Sequence, residues 1–284
     1  MLIALTSVLV APLPSKRQQL MIPGKAWLLV SRAFFVCLLV STQAFGDDCH
    51  LPPERLQQLQ QVFVSRVSDG DTVRLVSGER VRLIGVDTPE LDGDEPLAVQ
   101  ARGYLKALIA DQPLYLQAGE RERDRYRRLL AHLFLPDGRN IEALLLQEGY
   151  GFPVAIPPNL AWLDCHAAVA ADAQAQGKGV WQLYPVKDSR KLTAADAGFN
   201  RVSGVLQEID GQGGYWWLQM EGLLVLRITR EHQPYFDRQQ LQQLKGRKII
   251  ASGWIVDRSE SLRGKGFSPY MLLLTHPLHL QLLD

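Results

Sequence analysis

The stretch Val62–Glu90, VFVSRVSDGDTVRLVSGERVRLIGVDTPE, decides the fold of this chain. Its apolar residues alternate with polar ones, and this period of two is typical of half-buried β-strands. Asp69-Gly70 and Ser77-Gly78 interrupt the alternation, and both dipeptides are turn signals. The stretch therefore predicts three short antiparallel strands joined by hairpins.

Helices and further strands follow this stretch. The pattern predicts a helix at 97–109, strands at 113–117 and 129–135, a short helix at 141–148 and an Ala-rich helix at 160–176. Strands joined locally, with helices between them, predict a small β-barrel with packed helices, which is an α+β arrangement rich in β-structure.

A second β-rich region occupies residues 199–284, after a polar linker at 185–198. It offers five candidate strands with a Gln-rich helix between the third and the fourth. This is the element order of an OB-type barrel, so we predict a second, OB-like β domain.

The N-terminal segment has the features of a secretory signal peptide. Residues 1–46 contain four basic residues and no acid, and residues 33–44 form a short apolar run before the small residues at Ala44–Gly46. The run is shorter than the roughly 20 residues of a membrane span, so we predict cleavage near Ala44–Gly46. The mature protein would then be secreted or periplasmic, without stable membrane association. An uncleaved anchor is the alternative, and Met21 is an alternative start that would leave residues 1–20 untranslated.

The chain has three cysteines, and removal of the signal peptide takes Cys37 with it. Cys49 and Cys165 remain, and in an exported chain such a pair predicts a disulfide bond. Two free thiols are the alternative. Five histidines have no neighbours at ligand spacing and are expected to have structural roles: His132, His166, His232, His276 and His279.

The overall charge excludes one class of function. The chain has 31 basic and 30 acidic residues and a formal charge of +1, which excludes a tight polybasic binder of nucleic acid. With 46% hydrophobic residues the chain is also not globally disordered.

Acidic residues concentrate in two short segments, DGDT at 69–72 and VDTPE at 86–90. Taken alone, each segment is typical of an ordinary turn or loop. Together, Asp71 at the start of one strand and Asp87 at the end of another would bring two carboxylates to one rim, which suits Ca²⁺. Pro89 keeps Thr88 extended, so that Glu90 projects beside the metal.

Arginines supply the complementary charge. Arg82 precedes Asp87 by five residues, and Arg128 closes the run RERDRYRR at 121–128. Phosphodiester hydrolysis requires carboxylates that bind a metal, a further carboxylate that acts as a base, and guanidinium groups that hold the phosphate. Taken alone, the run 121–128 is more typical of a solvated charged hairpin.

These residues carry a resemblance to a known family. DGDT at 69–72, RLIGVDTPE at 82–90 and DRYRRL at 124–129 resemble the three signature blocks of the staphylococcal nuclease-like (thermonuclease) family, in the family's order. The resemblance covers residues 60–184. It implies a five-stranded OB-type barrel with three packed helices, and hydrolysis of DNA and RNA with Ca²⁺.

The resemblance also implies roles for single residues. Asp71 and Asp87 match the Ca²⁺ carboxylates, and Thr88 matches the residue that contributes its backbone carbonyl. Glu90 matches the general base that activates water for in-line attack, with products that end in 3′-phosphate. The two phosphate-binding arginines match Arg82 and Arg128.

The block around Tyr126 departs from the family's pattern. Arg127 stands where the family often has Gly, so the alignment permits Arg127 to share the role of Arg128. Arg125, Tyr126 and Arg127 are candidate substrate contacts. Tyr150 and Phe152 stand only as partial substitutes for the family's nucleotide-contacting tyrosines.

Other functions remain open at this stage. A binding or scaffold module that kept the barrel and lost its activity is one alternative. The second barrel offers an aromatic and basic face for single strands, made of Tyr215, Trp216, Trp217, Lys245, Arg247 and Lys248. The same aromatics could instead form its core, or the second barrel could direct the enzyme to a protein or envelope partner.

Overall fold

The computed structural model describes residues 49–93 and 95–283. The predicted signal peptide and its cleavage site lie outside the described residues. Within the described part of the chain, no helix is long and apolar enough to cross a membrane.

The first half of the chain contains eight strands: β1 Gln60–Val62, β2 Val64–Asp69, β3 Thr72–Leu75, β4 Arg80–Leu83, β5 Val86–Asp87, β6 Leu114–Arg123, β7 Leu129–Phe134 and β8 Phe152–Pro153. Six of them form the N-terminal sheet, in the order β1-β6-β7-β4-β3-β2, and β5 pairs separately with β8. A single residue separates β1 from β2, so the two edges of the sheet are one nearly continuous strand and the sheet curls on itself. This confirms the predicted hairpins and the OB-type arrangement of the first domain.

Five helices accompany the N-terminal sheet: α1 Pro53–Leu56, α2 Ala98–Leu108, α3 Ile141–Gln147, α4 Leu163–Ala175 and α5 Val180–Leu183. The predicted helices at 97–109, 141–148 and 160–176 correspond to α2, α3 and α4. Asn140 caps α3, because its side chain accepts a hydrogen bond of 2.8 Å from the N–H of Ala143. Leu105 of α2 and Leu145 of α3 are fully buried against Leu83 and its neighbours inside the curled sheet.

The second half contains seven strands and one helix: β9 Lys187–Asp188, β10 Gly198–Gln212, β11 Tyr215–Met220, β12 Leu224–Ile228, α6 Arg238–Gln243, β13 Lys248–Asp257, β14 Tyr270–Leu273 and β15 Leu280–Leu282. They form the C-terminal sheet, in the order β15-β13-β14-β12-β11-β10-β9, with β13 also paired to β10. The pairings thus run from β10 through β11, β12, β14 and β13 back to β10. In chain order, α6 lies between β12 and β13, the third and fourth of these five strands. This order supports the OB-like arrangement, which stays a prediction.

The segment expected to be a polar linker contributes to the packed structure. β9 pairs in parallel with β10, and the side chain of Leu192 lies in the core of the C-terminal sheet with 4% exposure. Its polar residues bond locally, since Asp196 accepts hydrogen bonds from both the N–H and the hydroxyl of Thr193. Local polar bonding and a single buried leucine explain why the composition resembles that of a linker.

One set of contacts ties the N-terminal part to the C-terminal sheet, and a disulfide bond closes the N-terminal part on itself. Phe152 of β8 stacks on Phe199 of β10 with ring centroids 5.0 Å apart, and Thr275 donates a 2.7 Å hydrogen bond to the carbonyl of Ala155. A disulfide bond joins Cys49, which precedes α1, to Cys165 in α4, with the Cα atoms 5.5 Å apart.

Candidate active site

Strand register brings the first arginine to the first carboxylate. Thr72 of β3 pairs with Arg82 of β4, and the N–H of Leu83 donates a 2.8 Å hydrogen bond to the carbonyl of Asp71. Asp71 and Arg82 are therefore neighbours across the β3–β4 hairpin, although 11 positions separate them in the sequence.

The Asp71 carboxylate also holds the loop that follows β5. Its Oδ2 accepts a 3.0 Å hydrogen bond from the N–H of Thr88, and both side chains are buried, with residue exposures of 2% and 3%. Gly70 permits this approach, because a Cβ at this position would lie 2.6 Å from Thr88 Oγ1. The glycine of the DGDT motif is thus required by packing as well as by the turn.

Arg82 bridges the two aspartates. Its Nη1 forms an ion pair with Asp71 Oδ2, and its Nη2 lies 2.6 Å from Asp87 Oδ1. Burial raises the pKa of Asp87 above its usual value, and the guanidinium of Arg82 opposes that shift. One arginine is therefore shared by both carboxylates of this buried pair, and it balances one of their two charges.

The same residues fit a divalent cation. Asp71 and Asp87 are buried carboxylates, and the buried hydroxyl Thr88 Oγ1 beside them has no hydrogen-bond partner. Hard cations such as Ca²⁺ or Mg²⁺ prefer oxygen ligands of this kind. The donor set is consistent with the divalent metal that the sequence predicts.

Glu90 lies at the open edge of this group. Its backbone N–H donates a 3.0 Å hydrogen bond to Glu95 Oε2, and its side chain is exposed to solvent. Partial desolvation and, after it, the hydrogen bond and charge of Asp69 raise the pKa of Glu90 to about 7. A carboxylate that titrates near neutral pH is suited to exchange protons there.

A second arginine is held by its own aspartate. Arg128 Nε donates a 2.6 Å hydrogen bond to Asp124 Oδ2, and its backbone N–H donates a 2.8 Å bond to Asp124 Oδ1. The Arg128 side chain thus closes the turn between β6 and β7. It also lies 5.4 Å from the centroid of the Tyr126 ring.

The neighbouring residues of this turn differ in orientation. Arg125 lies over the Tyr126 ring at 4.7 Å, whereas Arg127 has a left-handed φ of 63° and its carbonyl accepts a 3.1 Å hydrogen bond from Arg123 Nη1. The left-handed residue turns the chain, so that Arg128 and not Arg127 is directed to the site.

A cavity of about 600 Å³ collects these groups. Its wall includes Arg82, Asp87 and Glu90 from the β4–β5 region, and Arg125, Tyr126 and Arg128 from the turn before β7. Of the predicted site residues in the described chain, Asp71, Thr88 and Arg127 do not line it. Trp254 of β13 also lines this cavity, and the motifs had not indicated it because it comes from the C-terminal sheet.

The two partial substitutes for the family's nucleotide-contacting tyrosines make contacts within the protein. Phe152 is 6% exposed and packs against Phe199, and Tyr150 packs against Tyr104 with ring centroids 5.0 Å apart. Both rings fill contacts inside the protein, because the segment around Gly151 lies against Asp87 and Val86 of β5.

The predicted aromatic face of the second region also needs correction. Successive residues of a strand point to opposite faces of the sheet. Tyr215 and Trp217 share a face and lie 5.4 Å and 5.9 Å from the guanidinium of Arg227, whereas Trp216 packs against the core of the C-terminal sheet. The basic partners on this face are arginines, and not the predicted Lys245 and Lys248.

Comparisons with known proteins show which family and which relatives the chain resembles. Residues 80–183 match the family model described as Staphylococcal nuclease homologue. The thermonuclease of Staphylococcus intermedius is 31% identical over 130 residues, which cover 43% of this chain and 77% of that protein. Endonuclease YncB of Bacillus subtilis (strain 168) is 30% identical over 154 residues, covering 51% of this chain and 69% of YncB. The SPbeta prophage-derived endonuclease YokF of the same strain is 29% identical, and the match covers 51% of this chain but only 49% of YokF.

Proposed function

The chain belongs to the staphylococcal nuclease family, and on this premise we propose that it is an exported, Ca²⁺-dependent nuclease that hydrolyses phosphodiester bonds in DNA, RNA or both. The relatives named above are a thermonuclease and two endonucleases. The observation that carries the proposal is the convergence of Arg82, Glu90 and Arg128 on one cavity. A general base and two fixed positive charges are the groups that hydrolysis of a phosphodiester needs.

Glu90 is the proposed general base. Its carboxylate takes a proton from the water that attacks phosphorus in line with the leaving oxygen. Its pKa of about 7 leaves a large fraction of the carboxylate ionised at neutral pH and still basic enough to accept the proton.

Arg82 and Arg128 are the proposed phosphate ligands. Arginine stays protonated in proteins, so both residues act by charge and hydrogen bonding and not as acids. Asp124 orients Arg128 before substrate arrives. Arg82 is shared between Asp71 and Asp87, and it must exchange part of these contacts for a phosphate oxygen.

Asp71, Asp87 and the carbonyl of Thr88 are the proposed ligands of the divalent cation. When bound, Ca²⁺ supplies positive charge that polarises the phosphoryl group and makes a nearby water more acidic. From the resemblance we further propose that the 5′-oxygen leaves and that products carry 3′-phosphate, which end-group analysis of the cleaved strands would test. Arg125 and Tyr126, on the opposite wall, are proposed to contact the flanking nucleotide, with Arg127 outside the cavity.

We propose that the protein is exported. The bond between Cys49 and Cys165 supports it, because disulfides persist mainly in oxidising compartments. We expect secreted or periplasmic protein whose mature N-terminus lies just after Ala44–Gly46. N-terminal sequencing of fractionated protein would test this, and protein retained in the membrane fraction with its signal intact would contradict it.

The central test of the function is Glu90→Gln. Loss of the base is expected to lower kcat about 10²–10⁴-fold with substrate affinity largely kept. Rates are measured on single- and double-stranded DNA and on RNA, with Ca²⁺, with Mg²⁺ and with chelator. Glu54→Gln, which alters an exposed carboxylate of α1, is the matched control and should leave the rate unchanged. An unchanged rate in Glu90→Gln would remove Glu90 from this role.

The alternative function is a nucleic-acid-binding module with little or no catalysis. The observation that favours it is that Arg82 pairs with both Asp71 and Asp87, so that neither buried carboxylate depends on a metal for a positive partner. Under this alternative the purified wild-type protein binds DNA or RNA and leaves both intact in Ca²⁺, and that result would refute the nuclease.

A further inference from the structure

A second group of ionisable side chains lies in the core of the N-terminal part, outside the catalytic cavity. His132 of β7, Glu142 of α3 and His166 of α4 form this group, which we name the His–Glu–His cluster. Their exposures are 1%, 0% and 1%. One ring nitrogen of each histidine and one carboxylate oxygen of Glu142 lie within 4.8 Å of one another.

The His–Glu–His cluster concentrates unsatisfied polar atoms. Both ring nitrogens of His132, Nδ1 of His166 and Oε2 of Glu142 are buried without a hydrogen-bond partner. Buried polar atoms in folded proteins are nearly always paired, and each exception calls for an explanation. Three of these atoms, one from each side chain, can share a common bound partner.

The chemistry of these atoms favours a metal cation. A buried carboxylate requires a positive partner close to it, and imidazole nitrogens with a carboxylate oxygen are a ligand set that proteins use for zinc. His132 Nδ1 lies 3.7 Å from Glu142 Oε1. This separation is close to the roughly 3.4 Å between neighbouring ligands in a tetrahedron whose metal–ligand bonds are about 2.1 Å.

Asn140 selects the form of His166 that can bind a metal. Its Oδ1 accepts a 2.8 Å hydrogen bond from the N–H of Ala143 and lies 2.9 Å from His166 Nε2. Because Oδ1 is identified as an acceptor, Nε2 carries the hydrogen and Nδ1 keeps its lone pair. A metal-binding histidine commonly donates its other N–H to an oxygen in this way.

Gly85 holds the His166 ring from the side of the β4–β5 turn. A Cβ at this position would collide with His166 Nδ1, so only glycine allows the backbone to pack this closely. Gly85 belongs to the turn between β4, which carries Arg82, and β5, which carries Asp87. The cluster therefore lies directly behind the strands that hold the catalytic groups.

We propose that His132, Glu142 and His166 bind a zinc ion that stabilises the fold, with water as the fourth ligand, separate from the catalytic cation of Asp71 and Asp87. The ion would join β7, α3 and α4 behind the β4–β5 turn. It would compensate the Glu142 charge and bind one ring nitrogen of each histidine. Its effect is on stability, and the role of Asp71 and Asp87 does not depend on it.

The test measures bound metal and stability in the full exported chain, with zinc as the only added metal. After dialysis against metal-free buffer, we expect one zinc ion per chain by plasma mass spectrometry. Zinc should raise the Tm of metal-stripped protein by about 5–10 °C at a free concentration about 100-fold above its Kd. Co²⁺ in place of zinc should give the visible absorption of tetrahedral coordination, a readout that needs no variant.

Variants then separate the two metal sites. Glu142→Gln and His166→Gln should each lose the zinc, whereas Asp71→Asn combined with Asp87→Asn should keep it. His232→Gln is the matched control, because His232 is also buried but hydrogen-bonds Thr229 far from the cluster in sequence. Wild-type protein that holds no zinc and whose Tm does not respond to zinc would overturn the proposal. So would zinc retained by both Glu142→Gln and His166→Gln.

Discussion

At the residue scale, several charged side chains of the site are paired with side chains of opposite charge. Arg82 contacts both Asp71 and Asp87, and Arg128 is bound to Asp124. Glu90 differs from these residues, because its nearest acidic neighbour, Asp69, raises its pKa and does not neutralise it. The pKa of Glu90 is thereby raised to about 7, so this carboxylate changes its protonation state near neutral pH.

This arrangement predicts the effect of Asp69→Asn on the pH profile. A general base works when deprotonated, so activity falls as pH decreases through the pKa of Glu90. Removing the Asp69 charge lowers that pKa, and the acidic limb of kcat/KM should move to lower pH. Burial is the larger cause of the shift, so the limb should remain above the ordinary pKa of a glutamate.

The pH profile is measured with saturating Ca²⁺ at constant ionic strength. Asp172→Asn alters an exposed carboxylate of α4 and is the matched control, with an unchanged profile. A limb that moves to higher pH in Asp69→Asn, or that does not move, would contradict the assigned interaction.

At the element scale, the end of α3 and the start of α5 meet through two glycines. The N–H of Val180 donates a 2.9 Å hydrogen bond to the carbonyl of Gly149. Gly179 precedes Val180 with a φ of 51°, and a Cβ on Gly179 would collide with that same carbonyl. This contact positions α5 against α3, whose first turn contains Glu142.

Gly179→Ala is therefore expected to destabilise the protein by about 2–4 kcal/mol, the sum of left-handed strain and overpacking. Gly177→Ala is the control, because Gly177 also has a positive φ of 62° but has open space around its Cβ position. It should cost only about 1 kcal/mol. Urea unfolding of both variants with the disulfide intact measures the difference, and equal losses would show that the collision with Gly149 is relieved.

At the scale of the whole molecule, the two sheets meet next to the catalytic cavity. Trp254 of β13 lines the cavity and contacts Phe199 edge-on at 5.2 Å, while Phe199 stacks on Phe152 of the N-terminal part. A chain of aromatic contacts thus fixes Trp254 relative to Asp87, whose strand partner is Phe152. The C-terminal sheet thus contributes a side chain to the wall of the cavity.

We expect Trp254→Ala to raise KM for single-stranded DNA by about 5–150-fold, because stacking of a base on an aromatic ring contributes about 1–3 kcal/mol. The value of kcat should change little, since Trp254 carries no charge or proton for the reaction. Trp254→Phe keeps a ring in place and should recover most of the affinity. A fall in kcat with unchanged KM would indicate that Trp254 positions the site and does not bind substrate.

Much of the first domain follows from local pattern. The hairpins between Val62 and Leu83 are visible as alternation broken at turns, because a strand buries one face and a turn needs particular residues. Asp71, Asp87 and Glu90 are close to one another along these hairpins, so their grouping needs only the strand register. The same reasoning finds the helices at 97–109 and 141–148, where apolar residues repeat with the helical period.

Other features depend on contacts between distant segments, for which a single sequence carries no signal. Whether Arg127 or Arg128 faces the cavity depends on one left-handed residue in a turn. Trp254 reaches the cavity through packing between sheets, and Phe152 is lost as a nucleotide contact for the same reason. The His–Glu–His cluster has no metal-ligand spacing, because its members come from a strand and two helices that meet only in the folded core.

The amino-acid sequence by itself determines the chemistry of the catalytic groups, their order along the chain and the strands that carry them. It does so because hydrogen-bonded hairpins and short motifs are local. Tertiary packing sets which aromatic ring borders the cavity and which buried histidines face Glu142, and the backbone conformation of one turn sets which arginine lines the cavity. Packing of this kind depends on the shape and volume of every neighbouring side chain at once, and so it becomes visible only in the folded molecule.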